Sequence, residues 1–230
     1  MGVLMAALAL GCQAGDDETQ PGAGAPVAQS SETAPREATT GAPRVLIIGT
    51  SLTAGLGLDP DSAYPAVLQR KADSAGFLVR FEAAGLSGET SAGALRRAQW
   101  LLGEAPAMVV IETGANDGLR GLDPGTTAAN LRAIVSLVRD RAPEAVVVIV
   151  QMEAPPNLGP DYTRRFGALF GEVARETGSE LMPFLLEGVA GVPTLNQDDG
   201  IHPTAAGARR AAQNAWVTLE PLLRRLGKKG

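Results

Sequence analysis

The chain is poor in the residues on which many functions depend. Among 230 residues there is one cysteine, Cys12, and one histidine, His202. A lone thiol and a lone imidazole cannot assemble a zinc site, so no metal is expected. Only 4% of residues are aromatic, which leaves Val, Leu, Ile and Ala to fill a core. The net charge is −5 and the Arg and Lys residues are scattered, so the basic stripe that nucleic acid requires is missing. No glycine-rich stretch matches a dinucleotide fingerprint or a P-loop, and no cofactor is expected. From Arg44 onward no apolar run is long enough to cross a bilayer.

No Lys or Arg precedes Arg36, so the amino-terminal segment lacks the basic region of an ordinary export signal. It otherwise reads as one: "MGVLMAALALG" is short, apolar and ends in small residues, with Cys12 next. The order Leu8-Ala9-Leu10-Gly11-Cys12 resembles a bacterial lipobox, in which the cysteine receives lipid and becomes the first mature residue. The alternative is a plain secretory signal holding a stray cysteine. An N-myristoylation pattern fails at Ala6. Residues 13–43 are dominated by Gly, Pro, Ala, Ser, Thr and acids without an apolar face, and cannot bury enough surface to offset ordering entropy. The expected organisation is a signal and lipobox-like segment over 1–12, a flexible tether over 13–43 and one domain over 44–230. Such a protein would be exported to the cell envelope or periplasm, anchored to a membrane by lipid and monomeric.

Within the domain, short apolar runs alternate with amphipathic stretches. Strands are predicted over 44–49, 78–85, 107–114, 145–152 and 180–184, and helices over 63–74, 91–102, 126–141, 160–177 and 204 to about 226. The runs 107–114 and 145–152 are almost wholly apolar, as in parallel strands covered on both faces. Repeated strand–helix–strand units with right-handed crossovers build an α/β fold: an open five-stranded parallel sheet with helices on both faces. Ligands bind such sheets beyond the carboxyl ends of the strands.

Four segments therefore meet on one sheet edge: Gly49–Thr53, Gly85–Thr90, Gly114–Gly118 and Gln197–Pro203. His202 can serve as a general base near neutral pH. Asp199, three residues earlier with Gly200 between, can curl back to one ring nitrogen. Pro203 holds the backbone at His202 extended, and Thr204 can cap the helix that follows. Asn116 lies just past a buried strand, where its amide can donate to a developing oxyanion. Gly88 and Ser51 can add backbone N–H groups, the latter at a helix start. Asn116-Asp117-Gly118 is also a common turn, and a serine after a strand is common too. Together, however, these residues supply nucleophile, base, orienting acid and oxyanion donors.

The segments resemble the blocks of the SGNH, or GDSL, hydrolase family, most closely its thioesterase I, arylesterase and lysophospholipase branch. "SGETS" stands for the Ser-Gly-Asp/Glu-Thr block, "GANDGLRGL" for the third and "QDDGIHPTAAG" for the acid–histidine block. The resemblance covers about Val45 to Leu223 and implies a three-layer α/β/α flavodoxin-like sandwich. It implies Ser51 as nucleophile, Ser51, Gly88 and Asn116 as the oxyanion hole, and Asp199 and His202 as orienting acid and base. One position departs: the family's Gly-Asp-Ser-Leu reads Gly-Thr-Ser-Leu here, with Thr50 for the acid. Thr50 keeps a hydroxyl but no charge, which bears on rate and loop rigidity rather than on reaction type. The glycine of an α/β-hydrolase elbow is absent, Thr53 standing in its place.

The expected activity is serine esterase or thioesterase chemistry on aryl esters, acyl thioesters or lysophospholipids through an acyl-enzyme. The partner is then a small-molecule or lipid ester. The segments 153–162 and 185–197, rich in Pro, Gly, Leu and Val, are expected to border the cleft. Two other readings stand beside this one: removal of acetyl groups from carbohydrate at the cell envelope, and an inactive tethered binding module.

Overall fold

The structure, a computed structural model, describes residues 41–227. The expected signal and lipobox-like segment, Cys12 and all but the end of the expected tether lie outside the described residues. Five strands alternate with helices: β1 Arg44–Gly49, β2 Arg80–Gly85, β3 Met108–Glu112, β4 Val146–Val150 and β5 Glu180–Met182. The longer helices are α2 Tyr64–Ser74, α3 Ser91–Leu101, α5 Pro124–Arg141, α6 Pro160–Thr177 and α7 Ala205–Leu226. Two short ones, α1 Ser51–Ala54 and α4 Ala115–Leu119, directly follow β1 and β3; a helix start was expected at Ser51, but α4 was not predicted, since four or five residues show no period.

All five strands are parallel, in the order β2-β1-β3-β4-β5. β1, β3 and β4 are central and their branched side chains are buried apart from the half-buried Val146, as their largely apolar sequence requires. Observed strands are shorter than expected at several ends. β2 begins at Arg80 rather than Leu78, which is 83% exposed, and β5 stops at Met182. Apolar composition extends past the ladder because residues such as Met152 pack into the core without a strand partner. α2 packs with α7, and α3 with α5 and α5 with α6, covering the two faces of the sheet.

The chain leaves β1 toward β2 on one side, and later returns to add β3, β4 and β5 on the other. The direction therefore reverses between β1 and β3, and a crevice opens beyond their carboxyl ends. α1 and α4 begin there.

Candidate active site

Ser51 is the first residue of α1 and reaches His202 at the far end of the chain. His202 Nε2 lies 2.9 Å from Ser51 Oγ, and Nδ1 lies 2.5 Å from Asp199 Oδ2. The histidine loop is held by its own sequence. Asp199 Oδ1 accepts the N–H groups of Ile201 and His202, each at 2.9 Å, so the carboxylate turns back on the loop as the Asp-Gly-Ile-His spacing predicts. Gln197 N–H donates to the His202 carbonyl, and Thr204 caps α7 by accepting from Gly207. The bond from His202, reinforced by those two N–H donors, holds the Asp199 carboxyl at about 2, below the usual carboxylate range.

Three donors, carried by Ser51, Gly88 and Asn116 on three separate segments, belong to residues that line one cavity. No described residue accepts from the N–H groups of Ser51 and Gly88. Gly88 has φ +77°, a conformation that other residues adopt only under strain. Asn116, in the first turn of α4, gives one amide hydrogen to the Glu89 carbonyl at 3.1 Å, leaving its second free. The five residues singled out in the sequence thus come together at one place.

Sequence reasoning missed the groups that hold them. Glu89, 9% exposed, receives Arg97 in a two-pronged pair with contacts of 3.0 and 2.6 Å. Arg97 also donates to the carbonyls of Ala84 and Gly49, tying the Gly88 loop to the ends of β2 and β1. Asp117, buried beside Asn116, accepts from the N–H of Ser91 at 2.8 Å and from its hydroxyl at 2.5 Å. That carboxylate joins the start of α3 to α4, and so the Gly88 loop to the Asn116 loop. Under α1 lies Glu112, fully buried at the end of β3, which accepts from Thr50 and Thr53. Burial pushes its carboxyl above the usual range although the bonds from Thr50 and Thr53 pull the other way. A carboxylate closing the apolar run "MVVIE" was the one available signal. Thr50, which stands where the family has Asp, is 1% exposed and gives its hydroxyl to Glu112 at 2.9 Å.

The serine and the histidine open on a cavity of about 260 Å³. Leu52, Leu56, Leu119, Met152, Phe184, Leu186 and Ile201, with Ala115, form its apolar wall, and Ser87, Gly88 and Asn116 belong to its polar one. Of the two segments expected to border it, only Glu153 and Leu186 line it. The remaining residues of those segments lie elsewhere, and most of the apolar wall is shared between the turns after β1 and β3, which give Leu52, Leu56 and Leu119, and the chain after β5, which gives Phe184, Leu186 and Ile201.

This arrangement invites comparison with known proteins. The model of the GDSL-like Lipase/Acylhydrolase family matches residues 47–210. The chain belongs to that family. Esterase TesA of Pseudomonas aeruginosa is 44% identical over 180 residues, 78% of this chain and 89% of that protein. Thioesterase 1/protease 1/lysophospholipase L1 of Escherichia coli is 37% identical over 180 residues, 78% of this chain and 84% of its own. The crystal structure of the psychrotrophic esterase EstA from Pseudoalteromonas sp., inhibited by monoethylphosphonate, superposes with a TM-score of 0.75. It is 34% identical, and the match covers 79% of this chain and 98% of that one. The α/β sandwich is that of the SGNH hydrolases, and the chain is a serine ester hydrolase of the esterase and thioesterase kind.

Proposed function

We propose that Ser51 is the nucleophile, His202 the general base and Asp199 the acid that orients it. The observation that carries this is the unbroken hydrogen-bonded line from Asp199 through His202 to Ser51, ending at an open apolar cavity. His202 Nε2 takes the Ser51 proton as the oxygen attacks the carbonyl carbon of an ester or thioester. The depressed carboxyl of Asp199 keeps a negative charge beside Nδ1, fixing the tautomer and stabilising the imidazolium. The N–H groups of Ser51 and Gly88 and the free amide hydrogen of Asn116 receive the oxyanion. His202 then protonates the leaving alcohol or thiol, and water, deprotonated by the same nitrogen, releases the acid from Ser51.

The cavity suits an acyl chain of short to medium length, since its volume falls just under the roughly 300 Å³ at which pockets for drug-sized ligands begin. Its apolar side chains favour such a chain over the acetyl group of a sugar ester. The wild-type protein and Ser51→Ala would be compared on p-nitrophenyl esters of rising chain length, with labelling by a fluorophosphonate. The expected result is a rate maximum at intermediate chain length, label on Ser51 alone and loss of turnover in the variant. Wild-type turnover in Ser51→Ala would refute the assignment.

The lipobox-like order Leu8 to Cys12 supports a lipid on Cys12 and export to the cell envelope, with residues 13–43 as a spacer. In cells fed radiolabelled palmitate, the wild-type protein should take up label and Cys12→Ser should not. Equal labelling of both would overturn the anchor.

A further inference from the structure

We infer that Glu112 is a positioning residue for the nucleophile. It gathers the backbone N–H groups on either side of Ser51 and leaves the Ser51 N–H facing the cavity. The inference rests on the roles proposed above for Ser51 and its N–H. Glu112 ends β3 and lies opposite Gly49 in the register of β1 and β3, directly beneath the nucleophile turn. Its Oε2 accepts from Thr50 N–H at 3.0 Å, from Thr53 N–H at 3.3 Å and from the Thr53 hydroxyl at 2.7 Å. Its Oε1 faces the Thr50 hydroxyl at 2.9 Å. With its hydrogen given to Glu112, the Thr53 hydroxyl accepts from the buried Tyr64 hydroxyl 2.9 Å away, so the chain of donors runs inward from α2.

The start of a helix exposes N–H groups without partners inside the helix, and an acceptor placed there fixes their direction. In this turn one carboxyl oxygen takes the N–H of Thr50 and of Thr53. The Ser51 N–H between them is left for the substrate, and the serine side chain is held toward His202. The three contacts at Oε2 are acceptances, which that oxygen provides whether the group is a carboxylate or a carboxylic acid protonated on Oε1. Only the contact at Oε1 reverses between the two states, and the Thr50 hydroxyl can donate or accept. A threonine at this position therefore serves the turn without a second buried carboxyl, and accounts for the departure from Gly-Asp-Ser-Leu.

Glu112→Asp withdraws the carboxyl by about 1.5 Å, one carbon–carbon bond, so the two backbone N–H groups lose their acceptor unless the turn follows. Glu112→Gln keeps an acceptor oxygen at the Oε2 place. Steady-state kinetics on p-nitrophenyl butyrate would be combined with fluorophosphonate labelling rates and a circular-dichroism check of folding. For folded Glu112→Asp, kcat and the labelling rate should fall on the order of 100-fold with KM within about 2-fold of wild type. Glu112→Gln should recover to within about 10-fold of wild type. A structural role alone predicts a lower melting temperature with kcat per folded site unchanged. Thr53→Val, which keeps the shape and the N–H but removes the link to Tyr64, serves if Glu112→Asp does not fold. Its kcat should fall about 5-fold at constant KM, in proportion to one lost contact of the network. Folded Glu112→Asp or Thr53→Val with wild-type kcat would overturn the inference. Failure of wild-type Ser51 to take the label would instead refute the proposed nucleophile.

Discussion

Gly85→Ala tests how closely the nucleophile turn is fitted to the sheet. Gly85 ends β2 and pairs in register with Gly49 at the end of β1, so two glycines sit side by side beneath α1. Gly85 has no positive φ, and alanine could adopt its backbone without strain; what forbids it is space. A Cβ there would stand 2.2 Å from Ala54 N and 2.7 Å from both Ala54 Cα and the Thr53 carbonyl carbon. These are backbone atoms, which cannot swing aside as a side chain can. Ordinary contact begins near 3.4 Å, so α1 or β2 must retreat by about 1.2 Å, the difference between 3.4 and 2.2 Å. Overpacking of this kind costs about 1–3 kcal/mol of stability. The larger effect falls on the chemistry, because Ser51 begins the same four-residue helix. A displacement of about 1 Å at a nucleophile lowers the rate on the order of 100-fold. Urea unfolding would measure the first quantity. Steady-state kinetics on p-nitrophenyl butyrate, normalised to fluorophosphonate-reactive sites, would measure the second. A Gly85→Ala protein with wild-type stability, kcat and KM would refute the reasoning, since it would mean that the turn floats above the sheet.

Two further outcomes follow from the site. Asn116→Ala should lower kcat by the equivalent of about 2.7–4 kcal/mol of transition-state stabilisation, with little change in KM, as for other oxyanion donors; a change confined to KM would show that Asn116 only binds substrate. The Asp199 carboxyl is depressed from its ordinary value of 3.8 to about 2, so what it contributes to folding is present above the ordinary value and lost as pH falls through the lower one. The melting-temperature difference between wild type and Asp199→Asn should therefore shrink as pH falls below about 4. A difference that keeps growing below about pH 4 would contradict the bonds drawn for Asp199.

The sequence was most legible where the structure is local. The apolar runs of β3 and β4 announced buried parallel strands, because a strand covered on both faces has no polar side to show. Asp199 and His202 are three residues apart, and Asp-Gly-Ile-His-Pro already contains the turn that joins them. A helix start at Ser51 was legible, but α1 and α4 were too short to carry a period, so the part of the wall given by Leu52, Leu56 and Leu119 was not foreseen. The segment 153–162 was expected at the cleft because it follows the fourth strand and its composition suits an acyl chain, yet only Glu153 reaches it. Composition does not say which way a loop runs after its strand.

By itself, then, the sequence determined the alternation of strands and helices, the family blocks, the acid–histidine turn and the one histidine that could act as base. Only the tertiary structure decided what meets Ser51. The bond to His202 spans 151 positions, and it forms because the reversal between β1 and β3 opens a crevice that α1, α4 and the histidine loop share. Glu112 shows the same division. Its presence at the end of an apolar strand could be read in the sequence, but its partners depend on the parallel register that sets it opposite Gly49. Such pairings are fixed by the packing of the whole sheet, and no local stretch of sequence carries that information.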